Sequence, residues 1–453
     1  MRQKRDTTLY VEWSAANRSA LKIVREHQEK YKRISALLDA RPEILDLADR
    51  DLKVLSRGGQ KQRRAVYTSE NLLRALLVHT LEGRDLRGTV VLIAESPFLR
   101  DFLRLGNRPV LDFTFLDKAF QAIRPETWEA INAVLAGHAQ ATARLDPATI
   151  RVDTTVVETT IHYPTDAALL WDSWRVLARL LRRGRSLAPA WDAHRFHDGK
   201  VKRAYLRITR YAGSARRQRF VKHCYRELLA QVRRITAIAA AFALRARQEG
   251  GLALQALGAE IEGFLPAIQT VLATAERANV QGETVPAGER VFSLFEPHTE
   301  LIRRGKSHKP IEFGHVVLLS ETKEKFISDY VVMEQRVPDP ALAGPTLARH
   351  ERLFGAAPRV LAADKGFNPE PQKRAVLEQA VETLAIPRRL ADWGGTLAPW
   401  QRFRAGIEGT ISVLKRAYRL LRCPFRGFRR FAASVGMSIF CHNLVVLARP
   451  PGK

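Results

Sequence analysis

Leu72, Leu73, Leu76, Leu77 and Leu81 recur at the spacing of one helical face, behind Ser69, a residue type that starts helices. The same periodicity predicts helices around 17–38, 42–54, 87–104 and 113–123, so the first 145 residues read as a helical bundle. At Ile150 the pattern changes to a β-branched, extended run through Ile161, the composition of a strand. Helical spacing then returns over Leu169–Leu181, Arg226–Arg247 and Leu252–Ala278. Strand-like runs follow at Val291–Phe295, Gly314–Leu319, Phe326–Met333 and Arg359–Ala363, with a short one at Thr383–Ile386 before Pro387. From Trp400 onward the chain reads as helix. This succession predicts a mixed α+β fold interrupted by a long helical insertion. The expected segments are a helical N-terminal part (1–145), the first piece of a sheet domain (146–165), the insertion (166–284), the second piece (285–420) and a basic helical tail (421–453).

Charge narrows the partners. The 453 residues carry a formal net charge of +27. Such self-repulsion usually reflects a polyanionic partner, for which nucleic acid is the leading candidate and an anionic membrane the rival. No apolar run reaches the roughly 20 residues that cross a bilayer; Ala432–Leu447 comes nearest and is interrupted by His442 and Asn443. The N-terminal Met-Arg-Gln-Lys-Arg has no apolar core of a secretion signal. Cys224, Cys423 and Cys441 lack metal-ligand spacing and read as reduced thiols of a cytoplasmic, nucleoid-associated protein. No phosphate-cradling glycine loop is present, so no nucleotide cofactor is expected.

Three acids stand in suggestive settings. Asp153 lies inside the first strand, Asp364 ends the strand Arg359–Ala363 ahead of Lys365-Gly366-Phe367, and Glu408 lies near the start of the last long helix. Cleaving a phosphodiester with two metal ions needs hard oxygen ligands assembled by the fold, and carboxylates supply them. Each acid also has an ordinary reading: a strand-end Asp as a turn or cap residue, a helix Glu as a partner of the macrodipole or of an i, i+4 cation. Glu408 is the lone acid among nine Lys/Arg between Gln401 and Arg430. Arg404 and Lys415 share its helical face, as phosphate-binding groups beside a metal ligand would. Glu158, five residues along the strand from Asp153, points to the opposite face.

Together, Val152-Asp153-Thr-Thr, Ala363-Asp364-Lys-Gly-Phe367 and Arg404-x3-Glu408-x6-Lys415 resemble the DDE transposases of bacterial insertion sequences. The last stretch is similar to their tyrosine-arginine-glutamate-lysine signature, except that Gln401 stands where the tyrosine is expected. Phe98-Leu-Arg-Asp-Phe102, Ile161-His-Tyr-Pro-Thr-Asp166, Ile302-Arg-Arg-Gly-Lys306, Phe313-Gly-His315 and His442-Asn-Leu444 look like further motifs of the group. The resemblance implies a ribonuclease H-like catalytic domain in which Asp153, Asp364 and Glu408 hold two Mg²⁺ ions, or Mn²⁺ in their place. It also implies double-stranded DNA, as element ends and target, bound by a dimer, with Arg404 and Lys415 positioning phosphates. Lys365 is a further candidate for that contact, and the basic tract Arg416–Arg430, Arg416 and Arg419 included, should face the scissile phosphate or the flanking DNA. A catalytically inactive, transposase-derived DNA-binding protein is the alternative.

Between Arg175 and Arg226 sixteen Lys/Arg face two acids, Asp192 and Asp198, which points to phosphate contact. The interleaved aromatics Trp191, Phe196, Tyr205, Tyr211, Phe220 and Tyr225 read as the core side of that region. His162, His298 and His315 are compatible with phosphate contact or with structural hydrogen bonding.

Overall fold

Seven helices precede the first strand in the computed structural model, which describes residues 2–6, 21–56, 66–191, 194–303, 309–389, 392 and 397–450. They are α1 (Lys22–Ala40), α2 (Pro42–Leu52), α3 (Ser69–Leu81), α4 (Leu86–Glu95), α5 (Pro97–Phe102), α6 (Phe113–Ala122) and α7 (Pro125–Ala141). Their starts carry recognisable chemistry. Proline occupies the first turn of α2, α5 and α7, where its missing N–H costs nothing. Asp85, Ser96 and Asp112 accept backbone N–H groups as N-caps. The expected single helix over 87–104 is two helices, because Ser96 caps a new start and Pro97 cannot continue the old one. Thr68, not Ser69, caps α3, through a reciprocal pair with Asn71, while the Ser69 hydroxyl donates to Asp49.

Strand β1 (Thr149–Glu158) is followed by four helices: α8 (Asp166–Leu187), α9 (Asp198–Tyr211), α10 (Gln218–Glu249) and α11 (Leu252–Glu276). Next come β2 (Glu300–Arg303), β3 (Ile311–Thr322) and β4 (Ile327–Val332), then α12 (Ala343–Phe354), β5 (Val360–Ala362), α13 (Pro371–Ala380), β6 (Thr383–Ala385), α14 (Ala398–Ala417) and α15 (Phe428–Leu447). The sheet order is β2-β3-β1-β5-β6, with β4 also paired to β3. β1, β5 and β6 run parallel, while β2 and β4 are antiparallel to β3. The fold is therefore a mixed α+β one. Val291–Phe295, expected as a strand, is irregular among the described residues, and the short strand β2 was not foreseen.

Two compact units emerge. One comprises residues 1–160 and 315–453, the other 161–314. In the first, a single hydrophobic cluster joins the N-terminal helices, β3, β4, α14 and α15. Helix α15 lies at its centre and is apolar enough in length and composition to cross a membrane, yet nearly all of it is buried against protein. Its polar residues are satisfied there: His442 bonds the Lys325 carbonyl, and Asn443 bonds both backbone groups of Ile327. In the second unit, α8, α9, α10 and α11 pack around Leu170, Leu177, Leu228 and Ile261. All three cysteines are buried and none forms a disulfide.

Burial also sets a pH response. His79, His350 and His442 are buried, and desolvation pushes each imidazole down to about 4. The unfolded chain binds protons at these sites from about pH 6.5 downward, whereas the folded chain resists until about 4. Stability is therefore present above pH 6.5 and lost as pH falls through that window. Melting temperature recorded from pH 7.5 to 4.5 should fall, and a His442→Asn variant should flatten the curve; a curve unchanged by the substitution contradicts this account.

Candidate active site

The candidate site lies wholly within the unit formed by residues 1–160 and 315–453. It begins with strand register. β1 and β5 pair in parallel with Arg151 opposite Ala362. Asp153 lies two residues beyond that pair on β1, and Asp364 lies two residues past the end of β5, at the same count from the register. Glu158, of opposite pleat parity to Asp153, is bound by Arg422. The parallel pairing of β1 with β5 draws together segments whose aspartates stand 211 positions apart in the sequence.

Asp364 occupies the N-cap position of the single turn Lys365–Phe367, where an aspartate ordinarily accepts a backbone N–H. Here its side chain makes no capping bond. Its Oδ1 is buried and has no hydrogen-bond partner among the described residues. A buried carboxylate oxygen without a donor is costly, and it marks a group arranged for something other than the turn. Gly366 keeps the approach open, since a Cβ there would stand 3.0 Å from that oxygen and 3.7 Å from Oδ2 of Asp339.

Helix α14 packs against β1 and β5 and carries Glu408. Glu408 lies at mid-helix rather than near the helix start, because Pro399 in the first turn begins α14 at Ala398. The Arg404 guanidinium bonds Glu408 Oε1 at 3.0 Å and stands 3.9 Å from Asp153 Oδ2. Asp153 also accepts the Thr154 N–H at 2.7 Å. Arg404 thus bridges two of the three acids. Among the described residues no three His, Cys, Asp or Glu side chains converge closely enough to hold a metal ion. The arrangement is Asp153 and Glu408 joined through one cation, Glu408 about two thirds exposed, with Asp364 just past the strand paired to β1.

The expected phosphate-binding side chains separate. Lys365 is exposed next to Asp364, and Arg416 is exposed on α14 and donates weakly to the Ser412 carbonyl. Lys415 is half-buried on the same helix, and Gln401 is exposed there. Arg419 is committed elsewhere: from a left-handed backbone (φ 63°) it donates to the carbonyls of Gly83 and Arg84, in the turn that follows α3. The three candidate histidines all have protein partners. His162 bonds Asp172, His298 bonds Glu296, and His315 bonds the Met333 carbonyl between the rings of Phe428 and Phe431. Arg304, Gly305 and Lys306 of the Ile302–Lys306 motif lie outside the described residues.

Sequence reasoning missed Glu321. This carboxylate, on β3 beside a β-bulge, is fully buried, and it receives two bonds from Arg151 and one from Thr410 of α14. Burial pushes its carboxyl up while Arg151 and Thr410 pull it down. An acid inside the apolar run Val316–Leu319 and Ser320-Glu321-Thr322 was the available signal.

Residues 297–444 match the family model of the transposase DDE domain. That span runs from just before β2 into α15, and includes Asp364 and Glu408 but not Asp153. No curated protein and no solved structure matches the chain.

Proposed function

We propose that this chain, which carries a transposase DDE domain over residues 297–444, binds the terminal inverted repeats of an insertion sequence and performs metal-dependent DNA cleavage and strand transfer. The observation that carries the proposal is Asp364, two residues beyond the strand that pairs with β1, whose buried Oδ1 caps nothing and receives no bond among the described residues. Such an all-oxygen set suits a hard divalent cation, Mg²⁺ or Mn²⁺, held by Asp153 and Asp364 with Glu408 joining them. When bound, two such ions activate the attacking oxygen and stabilise the leaving one.

The chain's own residues supply orientation. Arg404 neutralises Asp153 and Glu408 in the DNA-free protein, and its planar fork matches a phosphate once DNA arrives. Lys365, Lys415 and Arg416 would hold the strands that flank the scissile bond. A water oxygen attacks the phosphorus in line, the bond to the 3′-oxygen breaks, and that oxygen leaves as a hydroxyl. The freed 3′-hydroxyl then attacks the phosphorus of a target phosphodiester, forming the new P–O bond while the target's own 3′-oxygen leaves as a hydroxyl. We assign the N-terminal helices to end recognition and to pairing two copies of the chain. The reading as a non-cleaving, DNA-binding descendant draws support from Glu408, which faces Arg404 and solvent rather than the aspartates. Purified protein incubated with end-bearing DNA decides: cleavage at the element boundary that needs Mg²⁺ or Mn²⁺ supports the enzyme, and binding without cleavage in either metal supports the alternative.

A second surface would grip the DNA backbone. On α9, Val201, Ala204 and Ile208 are buried, whereas Lys200, Arg203, Arg207 and Arg210 are exposed along one face. That row spans about 15 Å of helix. The aromatics of this region mostly face inward, with Tyr225 buried and Trp191, Phe196 and Tyr205 packed on the core. Asp192 lies outside the described residues, and Asp198 is taken by Arg182. Replacing Arg203, Arg207 and Arg210 together with alanine should reduce the slope of log affinity against log salt by about 2 to 3, near 0.9 per lost phosphate contact. An unchanged slope would remove α9 from the interface.

A further inference from the structure

We propose that Arg151, Glu321 and Thr410 form a positioning bracket that sets α14 against β1 and so fixes where Arg404 and Glu408 stand relative to Asp153. The inference rests on the functional reading above and concerns residues that touch neither DNA nor the reacting atoms.

The bracket is built from both sides of the site. Arg151 precedes Asp153 by two residues on β1, so both side chains leave the same face of one strand. The Arg151 fork meets Glu321 of β3 through Nε at 3.0 Å and Nη2 at 2.8 Å, a bidentate pair almost fully withdrawn from water. Its third donor, Nη1, reaches the Phe403 carbonyl of α14 at 2.6 Å. The guanidinium lies 4.8 Å from the centre of the Phe403 ring. It also passes so close to Gly406 that a Cβ there would stand 2.9 Å from Cζ and nearer still to Nη1. On the other side, the Thr410 hydroxyl donates to Glu321 Oε1 at 2.7 Å.

Positions 403, 406 and 410 are spaced three and four apart, so the bracket grips one face of α14 over two turns. Arg404 and Glu408 lie on the adjoining face. A shift of α14 along its axis, or a roll about it, would break several of these bonds together and displace Arg404 and Glu408 relative to Asp153.

Stability alone does not account for such a group. Burying an ion pair sacrifices the hydration of both charges, and well-packed apolar residues of similar volume often serve the fold as well or better. A planar fork bonded at three points supplies fixed direction and register, which apolar contact does not. Gly406 fits the same logic. It sits inside the Arg404–Glu408 motif, where a glycine weakens a helix, and here it admits the Arg151 side chain.

Two variants test the bracket: the double substitution Arg151→Met with Glu321→Leu, which removes both charges and keeps the volume, and Arg151→Lys, which keeps the charge and loses the fork. Measurements are melting temperature, DNA affinity, Mn²⁺ affinity by electron paramagnetic resonance well below the melting transition, and single-turnover cleavage of end-bearing DNA. The expected result is folded protein with wild-type DNA affinity, but Mn²⁺ affinity and cleavage rate each reduced about ten- to a hundredfold, the usual effect of losing support behind metal ligands. Where the double variant does not fold, Arg151→Lys carries the test with the same expectation. A folded variant that binds Mn²⁺ and cleaves like wild type overturns the bracket and leaves the functional reading intact. Wild-type protein that neither binds Mn²⁺ nor cleaves overturns the functional reading itself.

Discussion

Substituting Asp153 with alanine, Asp364 with asparagine or Glu408 with glutamine should each lower the cleavage rate at an element boundary by about a thousandfold or more. Stabilising charge at the attacking and leaving oxygens through bound metal contributes several kcal/mol, and each 1.36 kcal/mol is a factor of ten in rate. The three variants should nevertheless bind end-bearing DNA as wild type does, because these acids add negative charge next to phosphates and contribute nothing to their attraction. The assay is single-turnover cleavage in Mg²⁺ and Mn²⁺ beside a binding titration at one fixed salt concentration. Asp364→Asn has a further signature. Its Oδ1 is buried without a donor, so removing the charge there should leave the melting temperature equal or raised. A variant that loses cleavage only in proportion to lost folded protein would place these residues in the fold rather than in the chemistry.

The second large effect separates two neighbouring glycines of α14. Exposed Gly→Ala changes inside helices stabilise by about 0.5–1 kcal/mol, through restricted unfolded-chain freedom and better helix propensity. At Gly409 a Cβ meets nothing within 4 Å, so Gly409→Ala should follow that rule. At Gly406 a Cβ collides with the Arg151 guanidinium, which is held by Glu321 and Phe403. Gly406→Ala must displace Arg151 and leave Glu321 buried with an incomplete partner set. Breaking a buried pair costs about 3–5 kcal/mol, so the sign reverses. Denaturant unfolding of both variants reads the difference directly; equal stabilisation of the two would show that Arg151 moves aside freely.

Much of the architecture was legible because it is written in local pattern. The β-branched run at Ile150, the apolar runs before Asp364 and Pro387, and the leucine spacing of α3 and α8 each specify an element from short-range physics. Strand register then paired β1 with β5, the segments that lead into Asp153 and Asp364, which sequence order alone did not state. Where a local signal was overridden by periodicity, the expectation failed: Ser96-Pro97 marks a helix start inside the stretch read as one helix over 87–104. Pro399 likewise places Glu408 at mid-helix. Arg419 belonged to a basic tract and was read as a DNA contact. Its left-handed backbone and its bonds to Gly83 and Arg84 depend on a partner some 335 residues away, which no local pattern carries. Glu321 was missed for the same reason, since its partners Arg151 and Thr410 are 170 and 89 residues distant.

The central claim is that Asp153, Asp364 and Glu408 form one divalent-cation site. Anomalous diffraction from crystals of the protein grown with Mn²⁺ and end-bearing DNA tests it most directly. The account predicts a Mn²⁺ peak at about 2.0–2.2 Å from carboxylate oxygens of both aspartates, with Arg404 turned from Glu408 to a DNA phosphate. A Mn²⁺ ion bound elsewhere, with Arg404 still bridging Asp153 and Glu408 and Asp364 touching no metal, would contradict it.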